Sequence, residues 1–411
     1  MLAKVRRTVS DRRYARIAVV SLLAAVVLGA GYVADAAAPA PVPTSAPVAE
    51  SSSAPVIPIT PTSAPTPTPT PTPPTPASIS IDWVGDMAFG TPTSPVPGGP
   101  EALLAGIPGA ALQSDVTLGN LETVLGDGVP LTKCAPKEKD CYQFEAPGST
   151  AQMLKDAGFA GVNTANNHTD DAGVAGQDST NAALTAAGLT WAGRPGQISY
   201  LQRSGVTIAL LGFAPYYFDD NVLDIPAAQE QVREAKAHAD IVIVMTHIGA
   251  EGDAMTHVRA GEEYYLGEDR GDPIGFDHAV IDAGADLVVG SGPHVLRGME
   301  WYKGRLIAYS LGDFCGYGNL PVDSVTSISG ILHVTLDATG AFVSGGVTPV
   351  VLVDAGTPQP DPSSAATGMM NQLSADDFGD SGALLDANGN LTTPQRYRPA
   401  ATAQNSDGAE Q

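Results

Sequence analysis

Five short stretches of this 411-residue chain end a β-branched run on side chains that bind cations or move protons. Residues 78–85 run into Asp86 and Met87, and residues 115–118 into Gly119-Asn120-Leu121-Glu122. Residues 161–164 run into Ala165-Asn166-Asn167-His168, with Asp171 three positions on. Residues 241–246 run into His247, with Glu251 four positions later, and residues 286–290 into Ser291-Gly292-Pro293-His294. Carboxylate, carboxamide and imidazole groups are the donors that divalent metals take. Each residue also has a plainer use. Asp86, Asn120 and Asn167 could cap helices that follow them, His247 or His294 could be a hydrogen-bonded structural residue, and Glu122 a solvated loop acid. Capping needs neither His at two strand ends nor Asn-Asn-His at a third, so the set predicts one shared polar site. His168, next to Asn167, could orient a phosphate or act as a general acid. His238, His257 and His278, on or beside helices, read as surface residues, and His333, inside a strand, as packing.

Such a site needs a backbone that delivers these residues together. Short β-branched runs at 78–85, 115–118, 161–164, 206–212, 241–246, 286–290 and 306–309 alternate with Ala-rich, helix-period segments. The helical segments fall at 101–113, 149–157, 174–187, 226–239 and 276–283. This alternation predicts a layered α/β domain with a largely buried sheet. Three helices end at Ala-Gly just before the next strand, at Gly158, Gly188 and Gly284, where Gly suits a left-handed cap. Runs at 331–336 and 346–352 have no helix between them and predict a closing hairpin. After Val353 the chain turns polar, with one short helix expected around 369–373. In open α/β sheets ligands bind at the carboxyl ends of strands, and five of these runs deliver Asp, Glu, Asn or His to that edge.

The first 36 residues place six Lys and Arg ahead of an uncharged apolar run at 17–33, then Ala34-Asp35-Ala36. That is the pattern of either a cleaved export signal or a retained membrane anchor, with its basic flank inside. Residues 37–77 read as a linker. Fourteen Pro fall between Pro39 and Pro76, and a fixed φ without an N–H donor gives extended polyproline II instead of a core. One domain is then expected at 78–355, and a polar tail at 356–411. The chain carries 44 acids against 21 bases, a formal charge of −23, and the part after residue 77 carries about −26. Such a field repels nucleic acid and anionic membrane surfaces. Three Cys exclude a disulfide scaffold and an all-Cys zinc cage. In an exported domain, Cys134 and Cys141 in their polar loop predict a disulfide, and Cys315 a free, buried thiol.

The chain resembles the CapA family of poly-γ-glutamate capsule biosynthesis proteins, within the calcineurin-like metallophosphoesterase superfamily. The matching pieces are VGDMAFG at 84–90, GNLETVL at 119–125, ANNHTDDAG at 165–173 and MTHIGAE at 245–251. The fifth is ADLVVGSGPHVLRGMEWYKGRLIAYSLGDF at 285–314, and all five stand in the family's order over about 230 residues. The resemblance implies a metallophosphoesterase-like α/β sandwich of two mixed β-sheets flanked by helices, held outside the membrane by the N-terminal segment. It implies metal ligation by Asp86, Glu122, Asn167, His247 and His294, with His168 as the catalytic imidazole. Asn120, Asn166, Asp171, Glu251 and Arg297 would support the ligands or touch substrate. Arg297, Lys303 and Arg305 are the local bases beside the fifth piece.

Three positions depart from the pattern. The superfamily's His two residues after the first Asp is Ala88, the family's His-Pro-His reads Gly292-Pro293-His294, and its usual Asn near the end is Asp313. A two-metal clamp has then lost one imidazole from each half, which leaves two expectations: a single divalent ion held by Asp86, Glu122, Asn167, His247 and His294, or a pocket kept for binding with catalysis lost. Two functions follow. One is a membrane-tethered or secreted component of capsule or poly-γ-glutamate-type polymer synthesis, binding or processing polymer beside its membrane machinery. The other is an extracytoplasmic metallophosphatase or phosphodiesterase, which would make the protein a metal-dependent hydrolase.

Overall fold

In a computed structural model, which describes residues 77–393 apart from 92, 136–138, 140, 319, 321 and 323, the first β-branched run forms strand β1 (Ser78–Ala88). The expected signal or anchor at 1–36 and the linker through residue 76 lie outside the described residues. Further strands are β2 (Val116–Leu121), β3 (Gly161–Asn163) and β4 (Thr190–Ala192). Six more form a second sheet: β5 (Ser199–Arg203), β6 (Val206–Phe213), β7 (Ile241–His247), β8 (Leu287–Ser291), β9 (Met299–Tyr302) and β10 (Arg305–Ala308). The chain then returns to the first sheet with β11 (Asp313–Gly316), β12 (Ile328–Asp337), β13 (Phe342–Val353) and β14 (Thr357–Pro360).

The first sheet runs β14-β13-β12-β1-β2-β3-β4, with β11 paired to the end of β1, and the second runs β9-β10-β8-β7-β6-β5. Both mix parallel and antiparallel pairs, as in β1–β2 against β1–β12 and β6–β7 against β9–β10. Alternation along the strands explains how they stack. Ile79, Ile81 and Trp83 from one sheet meet Ile208, Leu210, Ile243 and Met245 from the other in a shared core. Trp83 also donates its indole N–H to the Gly290 carbonyl of the facing sheet at 3.1 Å.

Helices cover both outer faces. On the first sheet, Leu154 of α1 (Thr150–Asp156) and Leu184 of α2 (Gly173–Ala186) pack with Val84, Leu121 and Val162. On the second, Val232 of α3 (Ile225–His238) and Phe276 and Val280 of α4 (Pro273–Ala283) pack with Leu211, Val244 and Val288. Each such side chain, fully buried, contributes about 1.5–3 kcal/mol. The fold is therefore the two-sheet sandwich flanked by helices. Gly158, Gly188 and Gly284 all have positive φ, at 102°, 70° and 126°, just past their helices.

Three segments differ from expectation. The helix expected at 101–113 stops after Glu101–Leu104, and a single 3₁₀ turn follows at Gly109–Leu112. Gly106, Pro108 and Gly109 break it, since Pro removes a donor and clashes with the preceding turn. The second sheet carries edge strands β5 and β9 that the sequence did not announce. Residues 356–393 add β14 to the first sheet, and α5 (Ala365–Phe378) buries Ala366, Met370 and Leu373, so the folded body extends past the expected boundary at 355. Cys134 and Cys141 form a disulfide, and Cys315 is free and buried.

Candidate metal centre

Strand register assembles the centre. Across the first sheet, Asp86 is paired with Asp313 on one side and Asn120 on the other, and Asn120 is paired with Asn163. A register shift on β1 at Asp86 marks the bulge that ends regular pairing beside the site. On the second sheet, His247 ends β7 beside Ser291 at the end of β8, and His294 follows three residues on. His294 takes a left-handed backbone conformation, φ 58°, which a non-Gly residue adopts only when its surroundings enforce it.

Asp86 is fully buried at the midpoint. Its Oδ1 accepts from Asn120 Nδ2 at 2.7 Å and lies 3.6 Å from His247 Nδ1. Its Oδ2 accepts from Gly292 N at 3.1 Å and lies 3.2 Å from His294 Nδ1. Burial opposes ionisation of this carboxyl, but its hydrogen bonds to His247 and His294 outweigh burial and hold it well below the usual range. Asn120 is itself held through Oδ1 by Asn163 Nδ2 at 2.9 Å and Asn166 Nδ2 at 3.3 Å. Asn163 was not singled out in the sequence.

Glu122 faces three imidazoles. Its Oε1 lies 3.8 Å from His168 Nε2, 4.0 Å from His247 Nε2 and 3.6 Å from His294 Nε2. Burial raises its carboxyl well above the usual range and lowers His247. Burial also pushes Asp313 up to about 7, while Glu122 and Asp313 overcome burial to raise His294. Asp313 Oδ1 meets His294 Nδ1 at 2.8 Å.

His168 forms the adjoining wall. Asp171 Oδ2 accepts from Phe144 N at 2.6 Å and lies 2.6 Å from His168 Nδ1, so the imidazole presents Nε2 toward Glu122. Lys133 Nζ sits 3.0 Å from Asp171 Oδ1, and the Phe144 ring stacks on the imidazole at 3.9 Å. Burial lowers His168 to about 4, which keeps it neutral at pH 7. Phe144 also packs against Ala88, so the position two residues after Asp86 is filled by apolar contact. Lys133 and Phe144 come from a loop whose sequence carried no site signal.

Outside this set, Glu251 pairs with Arg270 at 2.8 Å and lies 3.8 Å from His294 Nε2. Asn166 accepts from His168 N, and Asn167 lines the cleft beside His168 and His294. Arg297 is placed elsewhere: fully buried, it grips Glu263 with Nη1–Oε1 at 3.0 Å and Nη2–Oε2 at 2.7 Å, plus the carbonyls of Met255 and Ala250. Lys303 and Arg305 pair with Asp282 and Asp286, so the three bases form no common patch. His278 and His333 are half-buried and bonded to Glu300 and Asp82, while His238 and His257 are exposed. A cleft of about 620 Å³ opens over His168 and Asn167, walled by Tyr142, Tyr216, Tyr217, Phe218 and Tyr265.

The donors fit a divalent ion. Both Glu122 oxygens, Asn167 Oδ1, His247 Nε2 and Asp313 Oδ2 are buried without a hydrogen-bond partner, a costly state unless something else satisfies them. Asp86, Glu122 and His247 bring ligand atoms within 4.8 Å of one another, and Asp86, His294 and Asp313 do the same.

The fold and the site together make a two-sheet α/β sandwich with buried carboxylates, imidazoles and carboxamides gathered at its strand ends. Residues 80–317 match the family described as bacterial capsule synthesis protein PGA_cap, and the chain belongs to that family. It is 31% identical over 309 residues to the PGA biosynthesis protein CapA of Bacillus subtilis (strain 168), covering 69% of this chain and 73% of that protein. The capsule biosynthesis protein CapA of Bacillus anthracis is 31% identical over 223 residues, 49% of this chain and 50% of that one. Among solved structures, a putative 5'-nucleotidase from Staphylococcus aureus, in complex with alpha-ketoglutarate, aligns with TM-score 0.36 and 14% identity, over 72% of this chain and 58% of that one.

Proposed function

We propose that this protein takes part in synthesis of a poly-γ-glutamate-type surface polymer, acting on that polymer at a metal-dependent site outside the membrane. The observation that carries the reading is Glu122, unpartnered among three imidazoles in a domain of the PGA_cap family. Asp86, Glu122, Asn167 and His247 would hold a divalent ion, which when bound supplies Lewis-acid polarisation and charge neutralisation. The chain's own residues do the rest. Asp171 fixes the ring of His168, whose Nε2 is left to take or give a proton at the cleft floor. Phe144 covers the opposite ring face and keeps water from it.

The N-terminal basic and apolar segment and the Pro/Thr linker support placement outside the membrane, tethered or released, beside the polymer's membrane synthesis machinery. The Cys134–Cys141 disulfide agrees with an oxidising compartment. Among the described residues no helix is long and apolar enough to cross a membrane. The test is to present poly-γ-glutamate of defined length to chelator-stripped and Mn²⁺-loaded protein, following binding by calorimetry and chain length by gel filtration. Binding or shortening that appears only with metal is expected; neither in either state would sink the proposal.

A further inference from the structure

We propose that Arg270 reads the free carboxylates of the polymer, gripping one of them in the cleft beside the metal centre. This rests on the polymer-binding reading above and names the group of the substrate that the cleft recognises. The cleft needs a cation, because the chain around it is strongly acidic and repels a polyanion. Lys133 is already committed, donating through Nζ to the Asn167 carbonyl at 2.7 Å and pairing with Asp171. That leaves Arg270, which lines the cleft with its side chain almost wholly buried. Its Nε and Nη1 make no well-aligned hydrogen bond, although Glu268 Oε2 lies 3.2 Å from Nε and Glu251 Oε1 2.8 Å from Nη1. A guanidinium held by charge alone keeps donors that a better-placed carboxylate can take in pairs.

The surroundings favour that exchange. The Tyr216 and Tyr265 rings lie 5.7 and 5.4 Å from the guanidinium carbon and fix its plane. Glu268 keeps 53% of its side chain in water, so it can swing out at little cost. Glu251 is only 13% exposed and stays. Its other carboxylate oxygen lies 3.8 Å from His294 Nε2, so a single side chain separates Arg270 from the centre. A chain gripped at Arg270 is thereby brought to the centre's edge. Tyr217 and Leu266, 84% and 65% exposed, line the same cleft and offer apolar surface to the methylenes between carboxylates. Carboxylates spaced by short aliphatic segments match this alternation of guanidinium and apolar wall.

The experiment titrates the full chain, loaded with Mn²⁺, with poly-γ-glutamate of defined length and with its methyl ester, which lacks free carboxylates, and reads binding by calorimetry. Wild type should bind the acid form and bind the ester about tenfold or more weakly. Arg270→Gln should weaken acid-form binding about tenfold or more and leave ester binding unchanged. A purely structural role would weaken both forms alike. Where Arg270→Gln fails to fold, Glu268→Gln decides: removing the competing carboxylate should tighten acid-form binding about threefold. Ester bound as tightly as acid, equal weakening of both forms in Arg270→Gln, or no tightening in Glu268→Gln would overturn the role of Arg270 and leave the polymer-binding reading standing. No binding of either form to wild type would overturn both.

Discussion

Replacing Asp171 by Asn tests how the site's imidazole is held. The fully buried carboxylate of Asp171 meets His168 Nδ1 at 2.6 Å, Phe144 N at 2.6 Å and Lys133 Nζ at 3.0 Å. Asn keeps the shape but removes the charge and turns one acceptor into an NH₂ donor, which must then face a donor. Hydrogen bonds to a charged group contribute about 1.5–3 kcal/mol each, and stripping one partner from a buried ion pair costs about 3–5 kcal/mol. Lys133 keeps 32% of its side chain in water, which discounts the ion pair, so a loss of about 2–4 kcal/mol is expected. At roughly 2 °C per kcal/mol for a unit of this size, Tm should fall by about 4–8 °C. The assay is thermal and urea unfolding of metal-free protein at pH 7, with Asp156→Asn as control. Asp156 is exposed and accepts one bond from Gln152, so its loss should stay within about 0.5 kcal/mol. The His168 titration, followed by NMR, should fall below its wild-type position near 4, because Asp171 pulls it upward. A Tm loss no larger than the control's would refute the role of Asp171 as the pivot.

Two further outcomes follow from the same geometry. Burial holds His168 near 4 against 6.5 when unfolded, so its contribution is fully present above pH 6.5 and is lost as pH falls toward 4. That amounts to about 3 kcal/mol, and urea unfolding at pH 7 and 4.5 should show wild type losing more stability than His168→Asn; parallel losses would contradict it. Arg297→Ala should cost about 3–5 kcal/mol and speed protease cleavage between residues 249 and 263, because Glu263 and two carbonyls lose their partner. Unchanged cleavage would show that Arg297 does not anchor that loop.

What the sequence made legible were features with local signatures. The buried strands read as β-branched runs, and the Ala-Gly helix ends, each with a positive-φ Gly, marked where the helices hand over to strands. Asp86, Glu122, His247 and His294 were visible because each stands just past such a run. Residues that depend on strand pairing were not. Asp313 stands far from Asp86 in sequence and becomes its neighbour only through the β1–β11 register. Lys133 and Phe144 reach His168 from a polar loop with no periodicity to read. Arg297, three residues past His294, looked like part of the site, yet its side chain turns to Glu263. The expected helix at 101–113 yielded to Pro108, a local signal that outweighed the Ala-rich pattern.

The most direct measurement is polymer output in a Bacillus subtilis strain that lacks its own CapA and carries this chain, His247→Ala or His238→Ala. His247 is buried against Asp86 and Glu122, whereas His238 lies exposed on α3. Wild type and His238→Ala should restore surface poly-γ-glutamate, and His247→Ala, confirmed to be folded and metal-depleted after purification, should not. Wild-type polymer levels from a folded, metal-depleted His247→Ala protein would contradict a metal-dependent role in polymer synthesis.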